Sequence, residues 1–206
     1  MARYAEAKCR MCRREGLKLH LKGAKCDTAK CPFAKKATPP GEYASYPRMS
    51  VYGNQLREKQ KVKRMYGVME RQFKRLFTIS KKDKEQTGLR LLQLMELRLD
   101  NVVYRLGFAQ SRAQARQLVM HGHVKVNGKR VDIPSYIVSV NQEVVLIDKI
   151  KTADWQKEFR VMSKGYKVPK WLGVREDGTG IVLKSPDRED IDPGIREELI
   201  VEYYSR

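Results

Sequence analysis

The chain has 206 residues, 43 of them Lys or Arg against 24 Asp or Glu, for a net charge of +19. That surplus favours a polyanionic partner, either nucleic acid or an anionic membrane surface. No apolar run of about 18 residues is present to span a bilayer, and the N-terminus lacks an apolar core followed by a small-residue cleavage site, so the expected setting is the cytosol with no membrane partner.

All four cysteines fall near the N-terminus, in the pattern Cys9-x2-Cys12-x13-Cys26-x4-Cys31. Two close thiol pairs separated by a short loop match a structural four-thiolate zinc site, because each pair supplies two ligands of a tetrahedron from one turn of backbone. Two disulfides are the alternative, disfavoured in a reducing compartment, and a redox Cys-x-x-Cys pair is the remaining one. With all four ligands from protein, one Zn2+ here is structural and keeps no open position for catalysis. Arg10, Arg13, Arg14, Lys18, Lys22, Lys25, Lys30, Lys35 and Lys36 crowd the same segment, which predicts a metal-nucleated arm lying on a polyanion. Pro39-Pro40-Gly41 marks a stiff boundary near its end.

Ser50 is placed to cap a helix that runs to about Tyr66 and stops at Gly67. Arg57, Lys59, Lys61, Lys63 and Arg64 wrap around more than one of its faces, a repulsion that a polyanion relieves. The plainer reading is a solvated amphipathic helix with Leu56 and Val62 turned inward; the two are compatible. The next helix, Met69 to Lys82, places Met69, Phe73, Leu76 and Phe77 at core spacing. Thr87 starts another, whose Leu91, Leu92, Met95 and Leu99 predict a continuous helix into the following region.

The stretch from Leu97 to Val131 reads as helix, bend, helix, hairpin. Leu99, Val102, Val103 and Leu106 recur at helical spacing and Gly107 ends them. Ser111 to Gln114 fits a capping box, Ala115, Leu118 and Val119 form the next apolar stripe, and Gly122 closes it. Val124 and Val126 alternate with His123 and Lys125, and Asn127-Gly128 is the preferred two-residue hairpin turn. The polar residues left over, Arg98, Arg105, Ser111, Arg112, Gln114, Arg116, Gln117, His121, His123, Lys125, Asn127, Lys129 and Arg130, predict a phosphate-binding surface built from Arg forks and a helix start. A solvated basic face is the bland alternative.

Beyond the hairpin, Tyr136 to Ile147 predicts two strands around Asn141-Gln142. Trp155, Phe159 and Met162 share a helical face, Ile181 to Leu183 suits a strand, and Ile195 to Val201 suits a short helix. The expected fold is α+β: a zinc-stapled arm (1–45), a helical domain (46–93, completed by 181–206), and a helix-helix-hairpin module with an antiparallel sheet (94–180).

Arg98-Leu99-Asp100, Ser111-Arg112, Gln114-Ala115-Arg116, Gly122 and Val126-Asn127-Gly128 resemble the RNA-binding module named after ribosomal protein S-four. That module also occurs in pseudouridine synthases and some aminoacyl-tRNA synthetases. Further residues narrow the resemblance to the bacterial ribosomal S-four family: Pro39-Pro40-Gly41, Ser50-Val51-Tyr52, Gln55 to Lys61, Tyr66-Gly67, Pro186-Asp187-Arg188 and the terminal Glu202 to Arg206. It covers nearly the whole chain, with one departure, Glu42-Tyr43-Ala44 where the family often has Gln-His-Gly. The four-cysteine arm is found in part of the family. The resemblance implies a cytoplasmic protein of the small ribosomal subunit that binds its RNA directly at a helix junction in the 5′ domain. It further implies that the protein nucleates assembly, lies near where messenger RNA enters, contacts protein S-five and influences decoding accuracy. An RNA-modifying enzyme would need a catalytic domain for which no stretch remains, and the cysteine spacing does not match a DNA-binding two-Cys, two-His finger.

Overall fold

A computed structural model describes residues 4, 6–41, 48–83, 86–152 and 167–205. The chain divides into two compact units, Met1–Leu92 with Pro193–Arg206, and Gln93–Asp192. The Glu42-Tyr43-Ala44 departure and the Trp155, Phe159, Met162 stripe lie outside the described residues.

The first unit opens with α1 (Lys8–Glu15), a tight 3-10 turn at Gly23–Asp27 and α2 (Pro32–Lys35). Arg13 donates to the carbonyls of Thr38 (2.8 Å) and Pro39 (2.9 Å), tying the end of the arm back to α1. Glu15, its side chain 2% exposed, accepts from both Arg57 and Arg64 of α3 (Val51–Met65) and anchors the arm to that helix. Ser50 caps α3, its hydroxyl accepting from the Gly53 N–H at 3.1 Å.

In α4 (Glu70–Ser80), Phe73, Leu76 and Phe77 are buried. Met69 is not part of that core: it sits at the helix N-cap and is exposed, because the first apolar residue on the inward face is Phe73. The C-terminal helix α9 (Glu197–Tyr204) lies along α3. Gln55 donates to Glu202 at 2.7 Å, the Arg196 N–H donates to Glu58 at 2.8 Å, and Tyr204 stacks on Phe77 at 4.4 Å between ring centres.

The division at Leu92 falls within α5 (Thr87–Glu96), and the expected continuous helix does not form. Arg98 is extended (φ −64°, ψ 138°), so the chain leaves α5 and restarts as α6 (Leu99–Arg105). The cause is tertiary: the Leu99 N–H donates to the Tyr136 carbonyl and the Val138 N–H to the Leu97 carbonyl, both at 2.8 Å. Those bonds also use the backbone of 136–138, so only Glu143–Leu146 of the expected strand pair is a strand, β3.

Helix α7 (Arg112–Met120) follows, and then β1 (Val124–Val126) and β2 (Lys129–Arg130). After α8 (Asp148–Lys151) come β4 (Leu172–Val174) and β5 (Gly180–Val182). The sheet is antiparallel throughout, in the order β2-β1-β3-β5-β4, with Val124 opposite Leu146 and Glu143 opposite Ile181. Segment 181–192 therefore belongs to this unit rather than to the helical domain: its first residues are sheet residues. One face of the sheet packs Val124, Val126, Val144, Leu146 and Val182 with Leu99, Val102, Val103, Leu106, Ala115, Leu118 and Val119 of α6 and α7. Each such aliphatic side chain contributes about 1.5–3 kcal/mol on full burial. That core fixes α6, α7 and the hairpin as one rigid block.

Candidate nucleic-acid interface

On this block the arginines of α6 and α7 are held from behind by two buried carboxylates. Asp100 accepts a bidentate pair from Arg98 (Nε at 3.1 Å, Nη2 at 2.7 Å) and a further bond from Arg116 Nη1 at 3.1 Å. Glu96, fully buried, accepts from Arg105 Nε at 3.0 Å and Nη2 at 2.6 Å and from the Asn101 amide at 2.6 Å. Asn101 passes the link outward, its oxygen accepting from Arg112 Nε at 2.8 Å, while Arg112 lies 4.7 Å from the Tyr104 ring centre. Three guanidinium groups thus share two carboxylates, a fourth is held through Asn101, and the network keeps an excess of positive charge. Arg112 and Arg116 are partly buried, and these bonds fix their orientation.

Arg98 is a correction. It is 2% exposed and both arms of its fork are spent on Asp100, so it is a structural residue with no access to a phosphate. Three polar residues of the expected surface also have local structural work. The Ser111 hydroxyl accepts from the Gln114 N–H at 3.3 Å as the α7 cap. The Gln114 side chain reaches back to the Gln110 N–H at 2.8 Å, one residue beyond the expected box partner. Asn127 Oδ1 accepts from the Glu143 N–H at 2.9 Å and ties the turn to β3. Asn127 (φ 46°) and Gly128 (φ 77°) both take the left-handed conformation that the two-residue turn requires.

The hairpin supplies the most open cations. Lys125 and Arg130 face each other across β1 and β2, and Lys125, Lys129 and Arg130 are exposed. Arg130 also donates to the His121 carbonyl at 3.3 Å. The His121 and His123 rings meet edge to face at 5.9 Å, and with Gln114, Gln117, Leu118 and Ile150 they line a shallow pocket. Partial burial, helped by His121, Arg130 and Lys149, lowers the His123 pKa.

The basic run of α3 is largely committed inside the first unit. Lys59 is 4% exposed and pairs with Glu70 at 2.8 Å; Lys61 is 8% exposed and bonds the Gly194 carbonyl and Glu58, both at 2.6 Å. These two are corrections as well: α9 covers the face that carries them, a burial that helical spacing alone does not reveal. Lys63 pairs with Glu70 at 2.9 Å, while Arg57 and Arg64 hold Glu15. Burial raises the Glu70 pKa, but hydrogen bonds from Lys59 and Lys63 outweigh it and bring it down to about 2. Sequence reasoning missed the carboxylates that organise both regions, Glu15, Glu70, Glu96 and Asp100. It also missed Arg71, Lys74 and Arg75 on α4, whose spacing opposite Phe73, Leu76 and Phe77 was the available signal.

Cys12, Cys26 and Cys31 are buried and Cys9 half-buried, all as free thiols. Burial pushes the Cys12 thiol up, the Leu19 N–H works against that, and the other three cysteines add to the rise, so all four sit within electrostatic range. The Lys22 N–H donates to Cys26 Sγ at 3.4 Å. Among the described residues, no group of three or more His, Cys, Asp or Glu stands in an arrangement that holds a metal ion.

A helix-bend-helix-hairpin block with anchored and outward-facing cations defines a nucleic-acid-binding module, here joined to a helical unit. Residues 3–96 match the family described as Ribosomal protein S4/S9 N-terminal domain, and residues 97–144 match the S4 domain. The chain is 53% identical to small ribosomal subunit protein uS4 of Natranaerobius thermophilus and 54% identical to that of Dictyoglomus turgidum, and 54% identical to uS4A of Alkaliphilus oremlandii; each match covers 100% of both chains. The chain belongs to the uS4 family of small ribosomal subunit proteins, whose members are structural and non-enzymatic.

Proposed function

We propose that this protein binds small-subunit ribosomal RNA directly, at a helix junction of its 5′ domain, and nucleates assembly there. The observation that carries the reading is the anchored network, in which two buried carboxylates hold Arg105 and Arg116 directly and Arg112 through Asn101, flanked by the exposed Lys125, Lys129 and Arg130. Anchoring removes the side-chain entropy that a flexible arginine loses on binding, so the fork meets a phosphate already oriented. Affinity then comes from neutralised phosphates and released counterions, and selectivity from the shape of the folded RNA. Protein S-five and messenger RNA near its point of entry are the proposed neighbours, with an influence on decoding accuracy through them.

One structural zinc ion on Cys9, Cys12, Cys26 and Cys31 belongs to the same reading. Its support is the donor chemistry: four thiols, three of them buried, lie in an arm too small to carry a large apolar core, and Cys9, Cys26 and Cys31 are near enough to Cys12 to raise its pKa. A bound dication would screen the thiolates from one another and fix the arm against α3, where Glu15 already holds it.

The test is crosslinking of the full chain to RNA in cell extract, followed by sequencing of the bound RNA. Reads concentrated in the 5′ domain of small-subunit ribosomal RNA are expected. A spread over unrelated transcripts, or enrichment only of large-subunit RNA, overturns the proposal.

A further inference from the structure

The tip of the β1–β2 hairpin sets an exposed side-chain amide beside an unblocked backbone nitrogen. The chain has four asparagines, Asn54, Asn101, Asn127 and Asn141, and glycine follows Asn127 alone. Asn127 and Gly128 are both exposed, and a Cβ placed on Gly128 would meet no atom within 4 Å, so the turn is open to water. Among the described residues the Gly128 N–H has no acceptor. The Asn127 amide is held at its oxygen, which accepts from the Glu143 N–H at 2.9 Å.

The other asparagines lack this combination. Asn101 is 2% exposed, its amide nitrogen donates to the Glu96 carbonyl and carboxylate, and β-branched Val102 follows it. Asn54 lies inside α3 and is followed by Gln55. Asn141 is the nearest case, exposed and left-handed (φ 66°). There the next residue is Gln142, and its N–H is committed to the Ser139 carbonyl at 3.2 Å.

We infer that Asn127 is a site of hydrolytic deamidation in the RNA-free chain, which puts a carboxylate in the middle of the cationic hairpin. The Gly128 nitrogen gives its proton to hydroxide and attacks Asn127 Cγ. The N–Cγ bond forms, the Cγ–Nδ2 bond breaks, and Nδ2 leaves as ammonia with a proton taken from water. A second water opens the five-membered imide at either carbonyl, leaving aspartate or isoaspartate at position 127. The sum is amide plus water giving acid plus ammonia, with nothing oxidised or reduced. Glycine suits the step because no side chain crowds the attacking nitrogen. The positive charge of Lys125, Lys129 and Arg130 favours the amide anion through which it passes. The Glu143 bond works the other way: it pins the side chain to the first residue of β3, and fraying there sets the pace. Either product weakens the hairpin as a phosphate surface. Aspartate adds a negative charge beside the three cations, and isoaspartate also lengthens the backbone by one carbon and upsets the Lys125–Arg130 register. The loss of RNA affinity rests on the RNA-binding reading; the chemistry at Asn127 does not.

The experiment holds the full chain RNA-free at mildly alkaline pH for days, reading ammonia release and, by enzymatic methyl transfer to digested peptides, isoaspartate. Label is expected on the peptide that holds position 127, ahead of those with Asn54, Asn101 or Asn141. It should be absent from an N127G variant, since glycine keeps the turn conformation without the amide. No label at 127, or earlier label at another asparagine, overturns the site. A second arm measures N127D against small-subunit ribosomal RNA across a salt series. The added charge is expected to flatten the slope of log K against log salt by about 0.7–0.9, the equivalent of one phosphate contact. An unchanged slope overturns the effect on RNA while a labelled Asn127 still stands. Failure of the parent chain to bind the RNA overturns the RNA-binding reading and, with it, the loss of affinity.

Discussion

Asp100 shows how one buried carboxylate can set the fate of several arginines. The fork of Arg98 and one arm of Arg116 converge on it, and Arg98 has no route to solvent. Removing one partner of a buried ion pair leaves an uncompensated charge, so D100N is expected to cost about 3–5 kcal/mol in urea unfolding. The R98M/D100L double variant should recover much of that, because an apolar pair satisfies itself. RNA affinity should stay low in the double variant, since Arg116 has lost its anchor; recovery of both together would make the pair purely structural. Glu70 gives a pH-dependent counterpart. Its ordinary value is 4.5 and the fold lowers it to about 2, so its stabilisation is present above pH 4.5 and is lost as pH falls toward 2. The carboxylate is 47% exposed, so high salt should blunt the effect. An E70Q variant is expected to unfold less steeply over that acid limb by circular dichroism.

At the scale of elements, what the sequence discloses depends on how local the cause is. Ser50 and Ser111 announce their helices because a cap is an interaction across three residues, and Asn127-Gly128 announces its hairpin because the turn demands positive φ at both positions. The break between α5 and α6 was hidden, since hydrogen bonds from 136–138, about forty residues away in sequence, impose it. The short strands β4 and β5 were half-hidden for the same reason, their pairing being set by the sheet rather than by their own alternation. The candidate site was legible as a list of cations but not as a division of labour. Only the fold separates Arg98, Lys59 and Lys61, which are buried, from Lys125 and Lys129, which are open. For the arm the proposal gives a local expectation. Chelation of zinc should raise hydrogen exchange across α1, the Gly23–Asp27 turn and α2, while amides of α7 and β3 keep their protection. Loss of protection throughout the chain would mean that the arm supports more than itself.

For the molecule as a whole, the count of 43 Lys and Arg overstates the cations available to a partner, because several are held internally by Glu15, Glu58, Glu70, Glu96 and Asp100. Binding energy should therefore concentrate on the cations left outside those pairs, the hairpin in one unit and α4 in the other. Reversing Arg112 and Arg116 is a poor test by itself, since glutamates there would face Asp100 and the Glu96-held Asn101 and unsettle the core. Replacing Lys125 and Lys129 by alanine leaves the core untouched and is expected to flatten the salt slope by about 1.4–1.8, at about 0.7–0.9 for each phosphate contact. If both units grip one RNA at once, each contact raises the local concentration of RNA at the other. Combining the hairpin pair with R71A/K74A/R75A, which removes three exposed cations of α4, should then flatten the slope by the sum of the two separate effects and speed dissociation more than either alone. A combined variant no worse than the weaker of its parents would mean that the two cationic surfaces do not serve the same RNA.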